Sequence, residues 1–268
     1  MSETAWRLSP FLRASVGLHA AGAAALVLAP ERWPLIVGGL LLDHAVIGAG
    51  VVWPRSTFLG PNLTRLPAAG REVALTFDDG PHPEVTPAVL DRLDRGGARA
   101  TFFCIGRKVA AHPDLAAEIH RRGHRVENHT FSHPHAFGFY GAARMEREIR
   151  TAQDAIAAAT GRAPRLFRAP VGIRNPWLDR VLARTGLRLV SWTRRGLDTV
   201  GTDVGRISRR LLGGLTAGDI LLLHDGSSAR DGAGRAVALD ALDLVLEGVA
   251  AAGLRSVPID GVTVERAR

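Results

Sequence analysis

Two adjacent aspartates close an apolar run, Thr76-Phe77-Asp78-Asp79-Gly80, and about fifty residues later the chain reads His129-Thr130-Phe131-Ser132-His133. One carboxylate and two imidazoles make a three-ligand set that holds a divalent cation and keeps a position open for water. A spacing of four puts His129 and His133 on one face of a helical turn. The second carboxylate is then available as a base. Near the C-terminus, Leu221-Leu222-Leu223-His224-Asp225 sets a further histidine just beyond an apolar strand, where a general acid could sit. Taken singly, each motif has a bland reading: Asp-Asp-Gly-Pro is good turn chemistry, and His-x-x-x-His alone is a weak signal. The joint arrangement describes a metal-assisted hydrolase.

Strands and helices must alternate to place these residues. Val73–Phe77 reads as a strand ending at the aspartates; Thr86 can cap the next helix, with Pro87 at its first position and Gly96-Gly97 as its stop. A strand from Ala100 to Ile105, a helix from Pro113 to Arg122 and a short strand ending near Asn128 follow. Met145, Ile149, Ala152, Ile156 and Ala159 share one helical face, stopped by Gly161. Later strands are expected at Leu166–Arg168, Leu187–Trp192 and Ile220–Leu223, with helices near 175–185, 204–212 and 237–252. This is the pattern of parallel β/α packing. The motif residues follow several different strands, and a barrel gathers strand C-termini at one mouth. An open doubly wound sheet would spread them along a crevice and more often carry a Gly-rich phosphate loop, which is absent from the sequence.

At 268 residues, with 30 glycines and 15 prolines, the chain suits one sizeable domain with many short connections. Its net charge of +8 comes from arginines scattered through helices and turns, and Lys108 is the one lysine, so no basic aromatic stripe marks a nucleic-acid partner. Cys104 lies in the apolar run Ala100–Ile105 and reads as core packing.

The first sixty residues differ from the rest. Phe11–Ala29 and Trp33–Trp53 are apolar, about 30 Å long as helices, and joined by Pro30-Glu31-Arg32. Aromatics bracket the second. Asp43 and His44 interrupt it and must face the partner helix or a polar cavity, with His19 as a candidate partner. Residues 1–56 are therefore expected to form a transmembrane or membrane-associated helical hairpin, with 57–70 as a linker and 71–268 as the catalytic domain. Arg7, Arg13, Arg55 and Arg65 outweigh Arg32, which points to a bacterial-type inner membrane with the catalytic part on the cytoplasmic face. No small-residue cleavage site followed by a polar start marks a signal peptide.

Across residues 71 to 258 the chain resembles the polysaccharide deacetylases of carbohydrate esterase family 4. The resemblance implies an α/β fold, a distorted (β/α) barrel of the polysaccharide deacetylase type. It makes Asp78 the base and Asp79, His129 and His133 the ligands of a divalent metal, zinc by default, with cobalt, nickel or manganese also suited to the donors. Arg168-Ala169-Pro170-Val171-Gly172 is similar to the segment whose arginine holds the base and whose residue after proline offers its N–H to the oxyanion; Val171 stands where an aromatic is usual. Trp192 and Asp198 resemble the segment that contacts and orients that arginine, with Thr199 where an aromatic often follows. Leu222 would line the acyl pocket and His224 would protonate the leaving amine.

The activity so implied is removal of N-acetyl groups from amino sugars of a glycan, polysaccharide or lipid-linked saccharide, with the membrane as a further partner. N-deformylation of a lipid-linked amino sugar and a non-catalytic membrane glycan-binding scaffold are the alternatives.

Overall fold

The computed structural model describes residues 6–67 and 70–259. Residues 1–5 of the expected hairpin, 68–69 of the expected linker and 260–268 of the expected catalytic region lie outside the described residues.

Two long helices, α1 (Pro10–Leu28) and α2 (Trp33–Val52), precede an alternating series. It runs β1 (Glu72–Asp78), α3 (Val85–Arg95), β2 (Ala100–Cys104), α4 (Gly106–Ala111), α5 (Pro113–Arg121), β3 (Arg125–Asn128), α6 (Ala142–Thr160) and β4 (Leu166–Phe167). It continues α7 (Leu178–Thr185), β5 (Arg188–Leu189), β6 (Arg194–Arg195), α8 (Val204–Leu212), β7 (Ile220–His224), α9 (Val237–Ala251) and β8 (Arg255–Ser256). All ladders are parallel, in the order β5-β4-β3-β2-β1-β7-β6, with β8 on the start of β1.

The two ends of that order belong to one stretch of chain. Arg188 and Leu189 pair with β4, whereas Arg194 and Arg195, a few residues later, pair with β7. A single bent stretch of chain thus joins both edges, and the sheet curls into a distorted barrel. Alternation along β1 sets its two layers, since successive strand residues face opposite ways. Val73, Leu75 and Phe77 face outward into the large core shared with α3, α8 and α9. Ala74 points inward with Phe103, Leu166, Val190, Trp192, Ile220 and Leu222. Asp78, two positions beyond Thr76 on the same face, tops that interior column.

One local expectation is corrected. Thr86 does not cap α3, whose N-cap is Glu84; its hydroxyl instead accepts from His82 N–H at 2.7 Å and donates to Asp225 Oδ2 at 2.5 Å. Within the expected linker, Leu63 bridges to Val190, and Leu66 N–H donates to Gly218 O at 2.8 Å. Gly161 does end α6, in the left-handed conformation (φ 68°) that glycine adopts without a Cβ penalty.

Both hairpin helices are long and apolar enough to cross a bilayer. They approach closely at Gly22, where a Cβ would stand 3.4 Å from Ile36. Asp43 is buried between them and accepts from Ser15 Oγ at 2.6 Å, with His19 Nδ1 at 3.8 Å. His44 is exposed, its ring edge-on to His19 at 5.1 Å.

Candidate active site

The strand ends meet at one mouth. β1 delivers Asp78 and the loop residue Asp79, which is left-handed at φ 72°, and both carboxylates approach His129 Nε2, Asp78 Oδ2 at 3.9 Å and Asp79 Oδ1 at 3.4 Å. Arg168, just past β4, is almost wholly buried, stacked over Phe103 at 4.0 Å and facing Trp192 at 5.6 Å. Burial lowers the pKa of its guanidinium, and the charge of Asp78 works against that fall. Its NH1 donates to Asp78 Oδ1 at 2.7 Å and Thr76 Oγ1 at 2.9 Å, and its NH2 to Ser191 O at 3.1 Å. One arginine therefore fixes the rotamer and the charge environment of one aspartate.

His129 and His133 converge on the other aspartate, and the expected helical turn is not what brings them there. Residues 129–133 form a loop in which Thr130 (φ 64°) and His133 (φ 53°) are left-handed. Such backbone needs outside support. Glu148 on α6 accepts from Phe131 N–H, Ser132 N–H and Ser132 Oγ at 2.8–3.1 Å, and Asn128 Oδ1 accepts from Thr130 N–H at 2.9 Å. The first amides of α4, Gly106 and Arg107, donate to the carbonyls of Thr130 and Phe131.

The donor atoms of this trio fit a cation. His129 Nδ1–H donates to Arg168 O at 2.8 Å, which leaves Nε2 facing Asp79 Oδ1 at 3.4 Å. His133 Nε2 lies 3.1 Å from the same oxygen. Asp79 Oδ1 is buried without a hydrogen-bond partner, and one ligand atom from each residue lies within 4.8 Å of the others. Burial raises the pKa of Asp79, but the nearness and charge of His129 and the charge of His133 outweigh it and hold it far below the carboxylate range. Burial likewise pushes His129 down, and Asp78 and Asp79 more than reverse it. For His133 burial prevails, and its pKa falls to about 4, which leaves a neutral ring.

His224, at the end of β7, completes the mouth. Burial lowers its pKa, but its hydrogen bond to Asp198 and that residue's charge raise it overall. Nδ1–H donates to Asp198 Oδ1 at 2.9 Å, and its backbone N–H donates to Asp198 Oδ2 at 2.8 Å. This corrects the expectation that Asp198 orients Arg168: among the described residues it serves His224, while Trp192 does face the arginine. Leu222 and Trp192 are almost fully buried in the interior column of the barrel. Val171, left-handed at φ 50° and half exposed, stands at the rim.

Three supporting groups escaped the motif reading. Ser227 Oγ donates to Asp79 Oδ2, which commits the other oxygen to the imidazoles. Lys108 Nζ donates to Asp79 O at 2.7 Å and Gly226 O at 3.1 Å, and so braces the strained aspartate. Asp225 is buried behind them, and burial raises its pKa to about 7. The one signal in the sequence was that a lone lysine stood in a chain otherwise using arginine.

Comparison with known proteins agrees with this layout. Residues 66–190 match the family model for polysaccharide deacetylase. A chitooligosaccharide deacetylase of Azorhizobium caulinodans is 37% identical over 194 residues, covering 70% of this chain and 92% of the relative. The chain belongs to the polysaccharide deacetylase family. A peptidoglycan-N-acetylglucosamine deacetylase of Listeria monocytogenes is 35% identical over 155 residues, covering 58% of the chain and 32% of that larger protein. The deacetylase fold is shared with a family 4 carbohydrate esterase from Streptomyces lividans in complex with acetate, at TM-score 0.64 and 35% identity, over 72% of this chain and 95% of that one. Polysaccharide deacetylases are hydrolases of amide C–N bonds, and this chain is one by sequence and by fold.

Proposed function

We propose that the protein removes N-acetyl groups from the amino sugars of a glycan, using Asp79, His129 and His133 to hold a divalent cation, zinc by default. One observation carries this reading: the unpartnered Asp79 oxygen faces two imidazole nitrogens, beside an aspartate gripped by arginine and across from a histidine gripped by aspartate. Relatives named for chitooligosaccharide and peptidoglycan N-acetylglucosamine deacetylation support the substrate class.

An amide is a weak electrophile with a poor leaving group, so its hydrolysis needs a base, an oxyanion site and a proton donor. A cation bound to the trio would lower the pKa of its water and polarise the acyl oxygen. Asp78 takes the proton of the attacking water at Oδ2, because Arg168 occupies Oδ1. The backbone N–H of Val171 donates to the oxyanion that develops on the acyl carbon. His224 presents Nε2–H to the leaving nitrogen, and Asp198 stabilises the imidazolium from the far side. Leu222 and Trp192 shape the floor beneath the acyl group.

The apolar hairpin would hold this machinery at a membrane, and the arginine bias around it favours the cytoplasmic face. A reporter fused beyond α9 that worked only outside the inner membrane would reverse that side. Detergent-solubilised protein supplied with zinc should release acetate from N-acetylated amino-sugar oligomers, and Asp78→Asn should abolish the release. Formate in place of acetate would reassign the acyl group; Asp78→Asn turning over at the wild-type rate would remove the mechanism.

A further inference from the structure

The hairpin leaves the barrel from the end that carries the site. Arg174 N–H donates to Val51 O at 3.3 Å, and Ser191 Oγ donates to Pro54 O at 2.6 Å. A Cβ on Gly172 would stand 2.9 Å from Pro54. Gly172 follows Arg168 by four residues, so the end of α2 abuts the mouth where Asp78 is held. From there the chain descends to the opposite end, where Leu66 bonds Gly218 just ahead of β7.

Around this junction the surface is apolar. Val52 is 64% exposed, Trp53 53%, Val171 42%, Trp177 54% and Phe139 82%. Their loops touch one another: a Cβ on Gly138 would stand 2.5 Å from Ile173, and Asn175 Nδ2 donates to Gly138 O at 3.0 Å and Tyr140 O at 2.9 Å. Isolated exposed apolar side chains are ordinary, but a contiguous set beside a site marks a docking surface. What covers this one follows from its continuity with α2, whose outward residues Leu35, Leu41 and Leu42 are largely exposed and call for hydrocarbon around them. Arg7 and Arg55, exposed at the same end of the hairpin, suit the phosphate layer. The aliphatic Val171, where the family usually has an aromatic, extends this surface to the lip of the site.

We infer that the rim formed by the end of α2 and the 137–140 and 170–177 loops seats the barrel mouth on the bilayer, and that the amino sugar is carried on a membrane lipid. This rests on the deacetylase reading and adds the carrier to it. The sugar enters from the membrane plane, and anchoring raises its effective concentration at the site.

Full-length protein in lipid nanodiscs tests the docking without relying on activity. Phe139→Cys and Arg121→Cys, each labelled with a fluorophore, are compared in discs carrying headgroup nitroxides; the native Cys104 is buried and stays unlabelled. Arg121 ends α5 just ahead of β3, at the other end of the barrel. Strong quenching at 139 with little at 121 is the expected result, and no difference between them overturns the inference. Phe139→Ser with Trp177→Ser should then lower kcat/KM about tenfold on a lipid-linked N-acetylglucosamine in discs, with less than a twofold change on a soluble chitooligosaccharide. Equal losses on both substrates would make the rim a pocket wall and sink the inference. An unquenched residue 139 with unchanged lipid-substrate kinetics would assign the patch to a protein partner. Wild-type protein inert on both sugars would defeat the deacetylase reading, while the quenching still decides the docking.

Discussion

The chain builds the same side-chain types into two clusters, His19-Asp43-His44 between the hairpin helices and Asp79-His129-His133 at the barrel mouth. In the hairpin both histidines donate Nδ1–H to carbonyls one turn back in their own helices, and the Asp43 carboxylate already has the Ser15 hydroxyl. At the mouth the oxygen facing the imidazoles has no such donor, and the ligands sit on loops braced by Glu148, Asn128, Ser227 and Lys108. An aspartate held by arginine and a histidine held by aspartate stand beside it, the base and acid of the proposed mechanism, whereas among the described residues the hairpin cluster has neither. Ligand types alone therefore do not make a catalytic centre. The supporting shell and the neighbouring titratable groups are what set the mouth apart.

The sharpest way to break this contrast is to delete one imidazole from each cluster. His129→Ala should lose both metal binding and measurable acetate release, while His44→Ala should keep kcat/KM within about twofold. Comparable losses in the two variants would mean the hairpin cluster shares in the chemistry. Next in size, Asp198→Asn should lower kcat about a hundredfold, the usual scale of general acid catalysis. The sign of its pH effect is fixed: Asp198 raises the His224 pKa against burial, so removing its charge moves the alkaline limb of the kcat profile to lower pH. An unshifted limb would assign the proton donor elsewhere.

A smaller effect is expected one bond behind the proposed metal ligands. Ser227→Ala frees Asp79 Oδ2 and should weaken zinc affinity about tenfold, read by competition with a chromophoric chelator. Smallest of all, Ser15→Ala removes one interhelical hydrogen bond and should cost about 0.6 kcal/mol of hairpin stability in detergent, with activity unchanged.

The parts legible in the sequence are those set by local pattern. Strand runs before Asp78 and His224, the helical face of Met145–Ile156 and the stop at Gly161 all follow from periodicity and punctuation, and the structure places them so. The catalytic candidates were legible as motifs. What was not legible depends on contacts between distant segments. The spacing of His129 and His133 suggested a helix, but left-handed residues and Glu148 decide a loop. Asp198 sits near Trp192 in sequence, yet the bend between β5 and β6 carries it to His224. Thr86 resembles a cap, but its hydroxyl is taken by a buried aspartate from the far end of the chain.

The stretch from Pro54 to Leu66 is fixed at the mouth through Ser191 and at the base through Gly218. Fixed at both ends, it acts as a strut and not as a leash. A leash would let the barrel sweep a hemisphere and trim sugars at many distances from the membrane. With the mouth seated on a bilayer as proposed, a strut would set one working height, so the units within reach would be those nearest the lipid, and lengthening a glycan outward would add nothing that the enzyme could use.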